Sequence, residues 1–169
     1  MVADALAARA GAAFAATGAD YALAAVALAG TPILLIKPNT YVNRSGVAAR
    51  AVVAAHGLPP ARLLVVADDV YLPFGRLRLR PAGSAGGHKG LLSIETVLGT
   101  REFPRLRIGV GEPGTGEDLA DHVLAAFTAA EKRFLPDCIA RAADAVMLVV
   151  ELGVEAARPR VNATPPPQL

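Results

Sequence analysis

The chain has 169 residues, 53% of them hydrophobic and 19% charged, with a formal net charge of +2. That length suits one domain with a sizeable core, and the composition excludes a disordered chain. The small net charge neither argues for nor excludes a nucleic-acid partner, so any such role must rest on a local patch.

Val2, Leu6, Ala7, Ala10 and Phe14 recur at helical spacing. They predict an amphipathic helix over residues 2–16, uncapped at its start and closed by Gly18. Residues 21–28 and 32–36 are apolar runs separated by Ala29-Gly30-Thr31, which reads as a hairpin. Residues 43–56 form the next helix, with Gly57 as C-terminal cap and Pro59-Pro60 beyond it. His56 then sits where it complements a helix C-terminus. Residues 63–67 read as a short buried strand. Residues 76–80 alternate strictly, which puts Arg76, Arg78 and Arg80 on one face and Leu77 and Leu79 on the other.

The glycine loop 83–87 leads into a helix from His88 to Leu98 that Gly99 ends. Residues 105–110 form another strand, with Arg105 and Arg107 alternating around Leu106, and a turn at 112–114 follows. His122 falls in a short segment after that turn. Thr128 to Glu131 has capping-box spacing and opens the last helical region, which Pro136 should kink or split before Gly153. Cys138, the single cysteine, lies in that region. It reads as a core residue, excludes an intramolecular disulfide and fits a reducing compartment. The order of elements indicates one α/β domain with a mixed twisted sheet flanked by helices. The longest uncharged run, residues 22–36, is short of a membrane span, and the N-terminus lacks the basic lead of a secretory signal. A cytoplasmic protein that touches no membrane is expected. No Cys/His cluster has metal spacing, so no metal is expected.

Asp68 and Asp69 follow the buried strand, where ligand sites of open α/β sheets lie. Adjacent strand residues point to opposite sides, so the two carboxylates cannot act together on one atom. One faces a site while the other faces water or caps a turn; a wholly solvated turn is the plain alternative. Asn43 stands where an extended segment becomes a helix, the usual place of a cap. His88 adjoins unpaired loop N–H groups, an anion-binding arrangement that is a weak signal by itself. The arginine rows are either solvated sheet faces or a phosphate site.

Four segments bear on the choice. They are Lys37-Pro38-Asn39-Thr40-Tyr41-Val42-Asn43-Arg44-Ser45-Gly46, Val65-Val66-Ala67-Asp68-Asp69-Val70-Tyr71-Leu72-Pro73, Gly83-Ser84-Ala85-Gly86-Gly87-His88-Lys89-Gly90 and Phe103-Pro104-Arg105-Leu106-Arg107-Ile108-Gly109-Val110-Gly111. In this order and spacing the chain resembles bacterial peptidyl-tRNA hydrolase, from the first helix to Asn162. The resemblance implies an esterase without cofactor, acting on the bond between peptide and ribose, and a monomer. Asp68 would orient a catalytic histidine, and Asn43 would place water and the substrate carbonyl. Tyr41, His88 and Lys89 would belong to the substrate site, although the family often has asparagine at the Lys89 position and lysine cannot accept a hydrogen bond. Arg80 and Arg107 would bind the tRNA 5′-phosphate. Tyr71 replaces an acidic residue common in the family, with little consequence expected.

The family's principal histidine lies on a segment ahead of the first helix, together with a strand interior to the sheet. None of the histidines here fits its place. Residues 1–162 therefore read as an N-terminally truncated hydrolase-like domain, with residues 163–169 a disordered proline-rich tail. The upstream start of a short gene model is the favoured account, and the chain as written should be impaired and only marginally stable. The alternative is a non-catalytic RNA- or tRNA-binding paralogue on the same fold.

Overall fold

A computed structural model describes residues 1–18, 20–112 and 119–167. In chain order the elements are α1 (Val2–Arg9), β1 (Ala15–Ala16), β2 (Tyr21–Leu28), β3 (Thr31–Pro38), α2 (Ser45–His56), β4 (Val65–Asp69), β5 (Leu77–Arg80), α3 (Lys89–Leu98), β6 (Arg105–Gly109), α4 (Leu119–Leu124), α5 (Ala129–Leu152) and α6 (Val154–Ala163). Short 3₁₀ turns at Val42–Arg44 and Pro60–Arg62 precede α2 and β4. The turn expected at 112–114 lies outside the described residues beyond Glu112.

The α/β class holds, and the sheet comes in two parts. β1, β2 and β3 form an antiparallel sheet; β4, β6 and β5 form a second one in which β4 and β6 are parallel. The β2–β3 hairpin pairs Tyr21 with Pro38 through to Leu28 with Thr31. Its two-residue turn has positive φ at both Ala29 (47°) and Gly30 (76°), the twist that matches the flanking strands.

One apolar layer underlies both sheets. Leu6 and Ala7 of α1 and Ala142, Ala143 and Val146 of α5 pack with Leu35 of the first sheet and Leu79 and Leu106 of the second. On the opposite face α2 reaches both sheets: Ala48 and Val52 meet Tyr21, while Ala49 joins Leu91 and Ile94 of α3 over Val65 and Ala67. The helix layers are therefore continuous while the strand layer between them is interrupted. Among the described residues β3 and β4 each have one unpaired edge. A cavity of about 930 Å³ lies between these edges, lined by Leu34 and Ile36 on one side and Val65 and Ala67 on the other. Val66, a residue of a strand covered by helices, is 38% exposed there.

Some boundaries differ from those expected. The first helix stops at Arg9 rather than 16, because Gly11 turns the chain with φ 64° and the chain then enters β1. β4 runs to Asp69, so both aspartates belong to the strand rather than following it. Pro136 sits inside one continuous helix, which begins with the Thr128–Glu131 capping box. Cys138 is buried, and burial pushes its thiol pKa up. At the C-terminal end the carbonyls of Asn162 and Thr164 accept hydrogen bonds from Arg76, and that of Pro165 from Arg141. Arg76 is thereby withdrawn from the arginine row: it lies before β5 and ties α6 to the sheet.

Candidate active site

The site forms where the end of β4, the glycine loop and the turn before α2 meet. Two close approaches bring them together. Gly46, in the first turn of α2, faces Ser93 of α3; a Cβ there would stand 2.3 Å from the Ser93 carbonyl oxygen, and the Gly46 N–H donates to Ser93 Oγ at 3.0 Å. Gly90, in the first turn of α3, lies against Val42 and the His88 ring; its absent Cβ would meet Val42 Cγ2 at 3.0 Å. Only glycine at both positions lets the turn carrying Asn43 rest on the start of α3.

His88 is the N-cap of α3. Its Nδ1 accepts from the backbone N–H groups of Gly90 and Leu91, both at 3.1 Å. That assigns the neutral ring's proton to Nε2, which contacts Asp68 Oδ1 at 3.1 Å. The histidine that Asp68 holds in this chain is therefore His88. The hydrogen bond from His88 draws the Asp68 carboxyl below its ordinary pKa, against the opposing effect of burial. Asn43 is not the helix cap expected; it is the middle residue of the 3₁₀ turn, with its side chain exposed.

The two aspartates diverge as strand geometry requires. Asp69 is 5% exposed, accepts the Tyr71 N–H at 3.0 Å and pairs through Oδ2 with Arg107 Nη1 at 3.1 Å. Arg107 Nη2 donates to the carbonyls of Ser84 (3.0 Å) and Ala85 (2.7 Å). Arg105 is 1% exposed and donates to the carbonyls of Gly83, Arg101 and Phe103 and to Glu95 Oε1. Two arginines thus hold the inward carbonyls of the glycine loop. Arg105 was not expected to be an anchor; its signal was the alternation that put it on the loop's side of the sheet.

The register pairs Arg78 with Arg107 and Arg80 with Arg105, so all four side chains leave one face. Arg78 and Arg80 are exposed. Tyr41 and Lys89 are exposed; they adjoin in sequence Val42 and Gly90, which lie against each other. His56 ends α2 beneath its Gly57 cap, and His122 Nε2 lies 3.1 Å from the Gly111 carbonyl. Neither joins the site. Among the described residues no group of His, Cys, Asp and Glu could hold a metal ion, and no helix is long and apolar enough to cross a membrane.

A family model described as peptidyl-tRNA hydrolase matches residues 1–168. The chain belongs to the peptidyl-tRNA hydrolase family. It is 46% identical to a peptidyl-tRNA hydrolase of Chloroflexus aurantiacus over 160 residues, covering 94% of this chain and 85% of that protein. It is 52% identical to the protein of that name from Chloroflexus aggregans over 134 residues, covering 79% and 71%. The Mycobacterium avium protein is 42% identical over 166 residues, 96% and 86% of the two chains. The crystal structure of peptidyl-tRNA hydrolase from Acinetobacter baumannii superposes with a TM-score of 0.90 at 29% identity, over 98% of this chain and 85% of that one.

Proposed function

We propose that this chain binds peptidyl-tRNA as a cytoplasmic monomer and presents its peptide ester to the site at Asp68, Asn43 and the glycine loop. The observation that carries the reading is the Asp68–His88 pair beside a loop whose carbonyls are tied inward by Arg105 and Arg107. Holding the carbonyls inward favours N–H groups toward the mouth, the groups that stabilise an oxyanion or a phosphate. Tyr41 and Lys89 border the peptide ester, and Arg80 supplies exposed charge for the tRNA phosphate. Arg107 joins that clamp through the loop it braces.

Ester hydrolysis also needs a base to activate water. His88 offers no free lone pair in this arrangement: Nδ1 serves two amides, and Nε2 faces Asp68. General-base catalysis is worth about 10²–10⁴-fold in rate. The chain should therefore bind peptidyl-tRNA yet turn it over about that much more slowly than a relative whose base is free. That occupied imidazole is also what favours the second reading, a tRNA-binding protein without hydrolysis. Purified chain is tested for release of labelled peptide from peptidyl-tRNA and, in parallel, for tRNA binding. Turnover at the rate of a relative would show that His88 leaves its cap to act as base. Failure to bind tRNA at low salt would remove both readings.

A further inference from the structure

We infer that Tyr71 is a stacking platform for an unpaired nucleobase at the RNA 3′ end, a role that rests on the proposed substrate. The sequence holds three tyrosines, five phenylalanines and no tryptophan. Among the described residues only Tyr41 and Tyr71 of these aromatics are exposed, and both stand at the site. Tyr41 precedes Val42 and Asn43 and was expected in the substrate site. Tyr71 was expected to matter little, and its surroundings indicate otherwise.

Its exposure is imposed rather than loose. Val70 and Leu72 on either side are buried, and the Tyr71 N–H is fixed to Asp69. Asp69 in turn holds Arg107, which holds the loop carbonyls of Ser84 and Ala85. Ring and loop are thereby built on one scaffold. Beside the ring's hydroxyl lies Gly87, which follows Gly86; their φ of 83° and 56° make a backbone that side chains rarely allow. The Tyr71 hydroxyl lies 4.0 Å from where a Gly87 Cβ would stand, and among the described residues none but the chain neighbours Gly86 and His88 could come nearer. A ring that is 62% exposed beside bare backbone presents a flat face to solvent, at a loop braced by Arg107 and followed by the exposed Lys89. A planar base on a phosphate chain fits it: unpaired RNA ends are recognised by stacking on aromatic side chains, with basic groups tracking the backbone.

The test uses the full chain and two RNA hairpins with the same stem, one blunt and one with a short unpaired 3′ extension. Wild-type chain should prefer the extended hairpin. Tyr71→Ala should weaken binding of the extended hairpin about 5- to 150-fold, the range of one lost base stack. Tyr71→Phe should retain the preference, and the blunt hairpin should bind wild type and Tyr71→Ala alike. A Tyr71→Ala chain that keeps the preference overturns the stacking role while leaving the substrate reading intact. Equal loss on both hairpins assigns Tyr71 to the stem or to the fold and also overturns it. Wild-type chain that binds neither hairpin defeats the substrate reading and this inference together.

Discussion

Filling the slot between β3 and β4 with a strand should stabilise the chain by about 3–5 kcal/mol. The perturbation is an extension ahead of Met1: five apolar residues rich in valine and isoleucine, then a short glycine-containing turn. Met1 itself lines the slot, so the connection is short. β4 offers the edge from Val65 to Asp69, and five residues at about 3.3 Å each span about 16 Å. Helices cover both faces at this point, so every added side chain is buried. At about 1.5–3 kcal/mol apiece, five contribute about 8–15 kcal/mol. Ordering five backbone residues costs about 5–10 kcal/mol at 1–2 each. Net ladder bonding and side-chain ordering are of similar size and opposite sign. A gain of 3–5 kcal/mol raises the melting temperature by about 6–20 °C in a domain of this size. Two long apolar edges left unpaired also invite association, so solubility should rise as well. Thermal unfolding followed by circular dichroism compares the chain, the extended chain and an extension of equal length built from serine and asparagine. Equal melting temperatures for all three, each monomeric, would refute the reasoning and mean that the helix layers close over the gap unaided.

Arg80→Ala should weaken tRNA binding and reduce the slope of log affinity against log salt by about one, as loss of a single phosphate contact does. Arg107→Ala should weaken it further, because Ser84 and Ala85 also lose their donor; unchanged affinity at low salt in both variants would mean a merely solvated face. Gly46→Ala should destabilise the chain by about 1–3 kcal/mol, since the new methyl meets the Ser93 backbone and α2 must move off α3. A chemical-denaturation midpoint that does not shift would show that this crossing is looser than the packing implies.

Much of this was legible because it is governed locally. The hairpin turn, the Gly57 and Gly99 caps and the Thr128 box each depend on a few adjacent residues, and each stands where the sequence put it. The first helix ends short of the run that spacing suggests, because an alanine-rich run carries little periodic contrast and the positive-φ glycine at position 11 decides its end. Arg80 and Arg105 show what local reading cannot reach. Both alternate with leucines on strands, and they are even cross-strand partners. One is open to solvent and the other is buried, because only Arg105 lies beneath the loop that folds back over β6. The Asp68–His88 pair likewise joins residues twenty apart. Its partners were named from motifs, while their contact required the β4–loop–α3 assembly.

β4 links the slot to the chemistry. Its unpaired edge lines the cavity from Val65 to Asp68, so a strand beside it would place one end near that carboxylate whichever direction it ran. A strand in the slot would thus bear on stability and could reach the site, and the two ask different things of it. Pairing and burial require only an extended apolar backbone. Activating water requires an imidazole with a free lone pair, which His88 lacks while it caps α3. An extension without histidine separates the two: it should raise the melting temperature and leave hydrolysis unchanged. If it restored hydrolysis, order in β4 alone would be enough to release His88 from its cap, and the base would have been present in the chain throughout.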